Sequence, residues 1–114
     1  MPSPFVLVLT TVADADTAAT IARTLVDERV AACVNVFPAM RSYYRWQGRV
    51  AEDTEHQLLI KTMRDGLERL QQRLLALHPY DVPELIVLPI EAASEAYGTW
   101  LAEAVGEEDA ESRN

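Results

Sequence analysis

Glycine and cysteine are scarce in this chain, and the catalytic signatures that depend on them are missing. Four glycines leave room for no Gly-rich phosphate loop and no GxSxG nucleophile elbow, and no HExxH occurs. The single cysteine, Cys33, excludes an intrachain disulfide, which suits a reducing compartment. The two histidines, His56 and His78, lie far apart, and there is no CxxC or HxxxH spacing. A zinc or copper centre needs three or four nitrogen or sulfur ligands, so any metal site must be assembled by the fold or between subunits. These shortages argue against an enzyme.

Long hydrophobic runs are lacking as well. "MPSPFVLVL" has no basic region, and its apolar stretch is far shorter than the ~20 residues that span a bilayer. Neither a signal peptide nor a membrane partner is expected, and a cytoplasmic location is. Positive charge is sparse: ten Lys and Arg stand against 18 acids, for a net charge of −8. Such a surface repels phosphate, so nucleic acid is not an expected partner. "GEEDAESRN" (106–114) carries part of the excess and is expected to be a solvated acidic tail. Residues 1–105 are expected to form one domain.

What is present is regular. "FVLVLTTV" (5–12) is β-rich and apolar on both faces, as an interior strand requires. "DADTAATIARTLVDER" (14–29) predicts a helix capped by Asp14, with Ala18, Ile21, Ala22 and Leu25 inward. From Val30 the period changes to two, predicting a second strand broken near Pro38. Beyond the break Tyr44 and Trp46 share a face with Met40 and Ser42, and "QG" (47–48) marks a hairpin turn. The return run, 49–62, would extend ~45 Å, well beyond the ~13 Å radius of gyration of a domain this size. The hairpin should therefore project from its own core. Its aromatics, Tyr43, Tyr44 and Trp46, have little of their own chain to pack against and predict self-association.

"DGLERLQQRLLAL" (65–77) predicts a second helix with Asp65 as N-cap and Glu68 as its capping-box partner, ending before Pro79. "PELIVLPI" (83–90) predicts an internal strand, and "SEAYGTWLAEAV" (94–105) a last helix with Ser94 as cap and Tyr97 and Leu101 inward. A βαββαβ(α) order with a central hairpin is the ferredoxin-like α+β sandwich: an antiparallel sheet with both main helices on one face. The other face is too apolar for water and calls for other subunits.

Candidate chemistry is confined to a few side chains. His78 can ligate a metal or satisfy the last carbonyls of the second helix. Cys33 is a second ligand candidate or a buried, inert thiol. His56 sits among acids on the hairpin, as a weak cation site or a charged strand edge. Lys61, the one lysine, is placed to face Asp81 or Glu84, and with Tyr80 and Glu84 could line a binding cleft.

"AACVNVFP" (31–38), "SYYRWQGRV" (42–50), "LLIKT" (58–62), "HPYDVPELIVLPI" (78–90) and "YGTW" (97–100) closely resemble successive motifs of the CutA divalent-cation tolerance proteins. The resemblance implies a ferredoxin-like subunit in a tight homotrimer similar to the PII signalling proteins. It also implies a link to copper or another divalent cation, no established catalytic reaction, and no cofactor required for folding. Some bacterial members carry a first-strand cysteine and a histidine pair before Pro-Tyr. This sequence has Thr10, Leu77 and His78 there. The alternative is a PII-like signal or small-molecule binder using clefts between subunits.

Overall fold

A computed structural model describes residues 3–106. Most of the expected acidic tail lies outside the described residues. Strand β1 (Phe5–Val12) leads into helix α1 (Ala15–Asp27), followed by β2 (Cys33–Val36), β3 (Met40–Trp46) and β4 (Arg49–Met63). A 3-10 turn (Arg64–Gly66) precedes α2 (Leu67–Leu77), β5 (Ile86–Pro89) and α3 (Glu95–Ala104). The strands are antiparallel in the order β2-β4-β1-β5, with β3 also on β4. This is the expected α+β arrangement.

Alternation along β1 and β4 makes two unlike sheet faces. On one, Val8, Val12, Leu58 and Ile60 meet Ala18, Ile21 and Leu25 of α1 and Leu70 and Leu74 of α2, all buried. Thr10 lies among them, fully buried, with a hydroxyl that has no hydrogen-bond partner among the described residues. Thr10→Val keeps the β-branched shape and removes that cost. We expect it to raise unfolding stability by about 1–3 kcal/mol, read as a higher urea midpoint; an unchanged or lower midpoint would show the hydroxyl to be satisfied.

The opposite face carries Phe5, Leu7, Leu9, Leu59 and Lys61, and across the ladder Ile86 and Leu88. Helix α3 covers its Phe5 end. A Cβ on Gly98 would come within 2.8 Å of the Phe5 ring, which explains glycine inside this helix. The rest of the face is open: Ile86 and Leu88 are more than 40% exposed.

Pro38 ends β2, but β4 runs on without a break and pairs first with β3 and then with β2. Gln47 and Gly48 both have positive φ, 51° and 76°, as a type I′ hairpin turn requires. The arm stretches the chain to 52 × 33 × 24 Å, with a radius of gyration of 15.4 Å.

Several expected details differ. The second strand starts at Cys33 rather than Val30, because Val30 and Ala31 donate to the Leu25 carbonyl and close the end of α1, with Arg29 left-handed at φ 60°. Asp65 does not cap α2: the 3-10 turn takes its place, and Gly66 stands at the N-cap with no side-chain bond. Strand β5 is not internal within the chain but an edge, since nothing among the described residues pairs beyond it. In α3 it is Gly98 and Leu101 that are buried, while Tyr97 stays 40% exposed. Asp14 and Ser94 do cap their helices, Asp14 accepting from the Thr17 amide at 2.7 Å.

Candidate functional site

The hairpin arm and the loop between α2 and β5 face each other across a cleft of about 690 Å³. Ladder pairing builds the first wall. Tyr44 pairs with Ala51, Ser42 with Asp53 and Met40 with Glu55, and paired residues point to the same side. Tyr44, Trp46, Asp53 and Glu55 therefore share one face of the arm. The loop supplies the second wall with Tyr80, Asp81 and Glu84, and Thr11 of β1 lies at the base. Pro79 and Pro83 keep that loop extended rather than helical.

Hydrogen bonds tie the walls together. The Tyr80 hydroxyl donates to Glu55 Oε2 at 3.0 Å, and the Tyr44 hydroxyl donates to Asp53. Gln57 Nε2 donates to the Thr10 carbonyl at 2.8 Å and to Glu84 Oε2 at 2.9 Å. Burial, and next the bond to Glu55, push the Tyr80 hydroxyl up to about 12. The bond to Asp53 likewise raises Tyr44. Tyr43 points to the other side of the arm, where it donates to Glu52 at 2.8 Å. Four carboxylates and no Lys or Arg line the cleft.

His78 anchors the loop. It is 7% exposed; Nε2 lies 2.8 Å from the Thr11 carbonyl, and Nδ1 accepts from the Tyr80 amide at 3.2 Å. An amide can only donate and a carbonyl can only accept. The imidazole is thus held as the neutral tautomer with its hydrogen on Nε2, and both ring nitrogens are engaged.

Residues 6–104 match the family described as "CutA1 divalent ion tolerance protein". The chain belongs to this family. The divalent-cation tolerance protein CutA of Thermus thermophilus is 50% identical over 100 residues, which cover 88% of this chain and 97% of that protein. A solved structure from the same organism superposes with a TM-score of 0.86 at 49% identity, covering 90% of this chain and 99% of the other. CutA1 of Oryza sativa superposes at 0.89 with 37% identity, covering 94% and 98%. The chloroplastic CutA of Arabidopsis thaliana is 43% identical over 86% of this chain, which spans only 54% of that longer protein.

Within this CutA1-family chain the other expected site residues are dispersed. Lys61 does not reach Tyr80 and Glu84: its Nζ lies 5.7 Å from the centre of the Tyr97 ring, under α3. Six residues of strand separate it from Glu55, about 20 Å. Cys33 pairs with Lys61 across the ladder, its Sγ 3.9 Å from Asn35 Oδ1. His56 is turned to the Phe37 carbonyl, with Nδ1 at 3.1 Å. Among the described residues, no three His, Cys, Asp or Glu converge to hold a metal. No described helix is long and apolar enough to cross a membrane. The sequence reading missed Thr11 and set Asp53 and Glu55 only beside His56; the strand register brings all three to the cleft with Tyr80.

Proposed function

We propose that this chain is a non-enzymatic, cytoplasmic protein of divalent-cation tolerance that works as a homotrimer and binds copper or a similar divalent ion. The observation that carries the reading is the family match across residues 6–104. Trimer formation is supported by the open sheet face and by the arm. Ile86, Leu88, Tyr43, Tyr44 and Trp46 are 41–61% exposed, an apolar surface of the kind that partners cover. Residues 1–105 act as one domain in this reading.

His78 and Cys33 are the proposed metal ligands, completed by groups from a neighbouring copy. To ligate, His78 Nδ1 must exchange the Tyr80 amide for the ion, which costs about 0.5–1.5 kcal/mol. Cu²⁺ titration by calorimetry should show saturable binding to the wild type and binding at least about tenfold weaker to His78→Ala, a loss near 1.4 kcal/mol. Equal weak binding by both proteins removes His78 from the site.

The cleft favours a second reading, a PII-like small-molecule binder. Tyr80 and Glu84 line it, whereas Lys61 would have to come from another copy. A rise in melting temperature on screening nucleotides and metabolites would support it.

A further inference from the structure

We infer that the acidic segment after α3, Glu107 to Glu111, docks on its own domain in a groove of about 310 Å³ where the ends of α1, β4 and α3 meet the start of α2. This contact lies within one chain and depends on neither the trimer nor the copper reading.

The fold delivers the segment to the groove. The Gly106 amide donates to the Arg29 carbonyl at 3.0 Å, and the Arg29 guanidinium donates Nε to the Gly106 carbonyl and Nη2 to the Glu103 carbonyl, both at 2.8 Å. These bonds clamp the end of α3 against the turn after α1. The chain therefore leaves residue 106 from a fixed point on the rim, and Val105 and Gly106 form part of the wall. Gly106 is left-handed, with φ 91°, which turns the chain off the α3 axis. At no more than about 3.6 Å per residue, Glu107, Glu108 and Asp109 stay within about 11 Å of that rim.

Charge selects the occupant. Arg29 and Arg69 line the groove against one acid, Asp65, whereas "EEDAE" (107–111) carries four acids in five residues and no base. Arg69 gives Nη2 to the Glu28 carbonyl at 2.9 Å, one of the five N–H donors of a guanidinium. A carboxylate matches the rest of that fork with two parallel bonds. The Thr62 hydroxyl at the floor already donates to the Val30 carbonyl at 2.8 Å, which leaves the arginines as the side-chain donors. Tethering raises the segment's effective concentration to about the millimolar range, so exposed ion pairs that are individually weak suffice to hold it. The docked segment keeps free anions off Arg69.

The test is NMR relaxation on the isotope-labelled full chain at low salt. Backbone order parameters of Glu107 and Glu108 are expected above about 0.6, the value below which a backbone is flexible. They should drop below it at about 1 M salt, where the Debye length is about 3 Å. The same drop is expected in Arg69→Glu, and in a variant combining Glu107→Gln, Glu108→Gln and Asp109→Asn, which alters no described residue. Pairing Arg69→Glu with Glu107→Lys and Glu108→Lys should restore the order, which a mere folding defect in Arg69→Glu does not allow. Low order in the wild type, order indifferent to salt or to Arg69→Glu, or failure of the charge swap overturns the inference. Phosphate that shifts the Gly66 and Arg69 amide signals of the wild type as far as those of the neutralised variant would make the groove a free-anion site and overturn it too. So would order lost when labelled wild-type chains are assembled with excess unlabelled Arg69→Glu chains, which would place the segment on a neighbouring copy.

Discussion

Tyr44→Ser combined with Trp46→Ser is expected to reduce the proposed homotrimer to single chains of 12.7 kDa in light scattering. The two rings sit on an arm that its own core does not cover, 41% and 59% exposed. A large aromatic buries about 150–250 Å² when covered, and at about 25 cal/mol per Å² the exposed remainder contributes about 2 kcal/mol per ring. In the proposed homotrimer, closed rotational symmetry repeats that loss at every interface. The arm itself should persist in the variant, because the type I′ turn at Gln47 and Gly48 and the β3–β4 ladder do not depend on these side chains. Tyr44→Phe keeps the ring and should keep the assembly. A double variant that retains three times the chain mass would show that the open sheet face alone holds the subunits.

Leu74→Ala should be strongly damaging to the fold. Leu74 is fully buried on α2, in the core cluster that also holds Leu58 and Ile60 of β4. Truncation there loses transfer energy and leaves a cavity, together about 3 kcal/mol or more. Alanine is an excellent helix former, so the loss reports packing rather than helix propensity. Leu75, one residue on, is 51% exposed, and Leu75→Ala should fall within about 0.5 kcal/mol of the wild type. Urea midpoints of the two variants at equal protein concentration measure the difference. Similar midpoints would mean that α2 contributes little to the core.

Local rules were legible wherever one short-range signal settled the matter. Asp14 and Ser94 cap their helices as their positions imply, and Gln47–Gly48 turns the hairpin. Where a longer-range competitor intervened, the local signal lost. Asp65 has the look of a cap, but Arg64 donates to the Pro4 carbonyl at 2.7 Å, and the chain passes through a 3-10 turn instead. Strand β5 has the composition of an interior strand although the single chain leaves it at an edge. Burial by other subunits, if it follows the proposal, reconciles the two.

The candidate site residues divide the same way. Tyr80 and Glu84 stand out in "HPYDVPEL" because two prolines and an aromatic surround them. Asp53 and Glu55 stand out only as acids beside His56, and Thr11 not at all, since acids and threonines are ordinary on strands that meet water. His78 was left between two roles by its position alone. Its bonds to the Thr11 carbonyl and the Tyr80 amide show that it pins the loop to β1.

The order of strands and helices, the projecting arm and the CutA1 family membership were determined by the sequence itself, because periodicity, turn chemistry and motif order are properties of neighbouring residues. Tertiary structure alone decided that Lys61 lies under Tyr97 and away from Glu84, that four carboxylates face one cleft, and that both nitrogens of His78 are engaged. Those facts depend on strand register, in which a shift of one residue would turn every side chain to the opposite face.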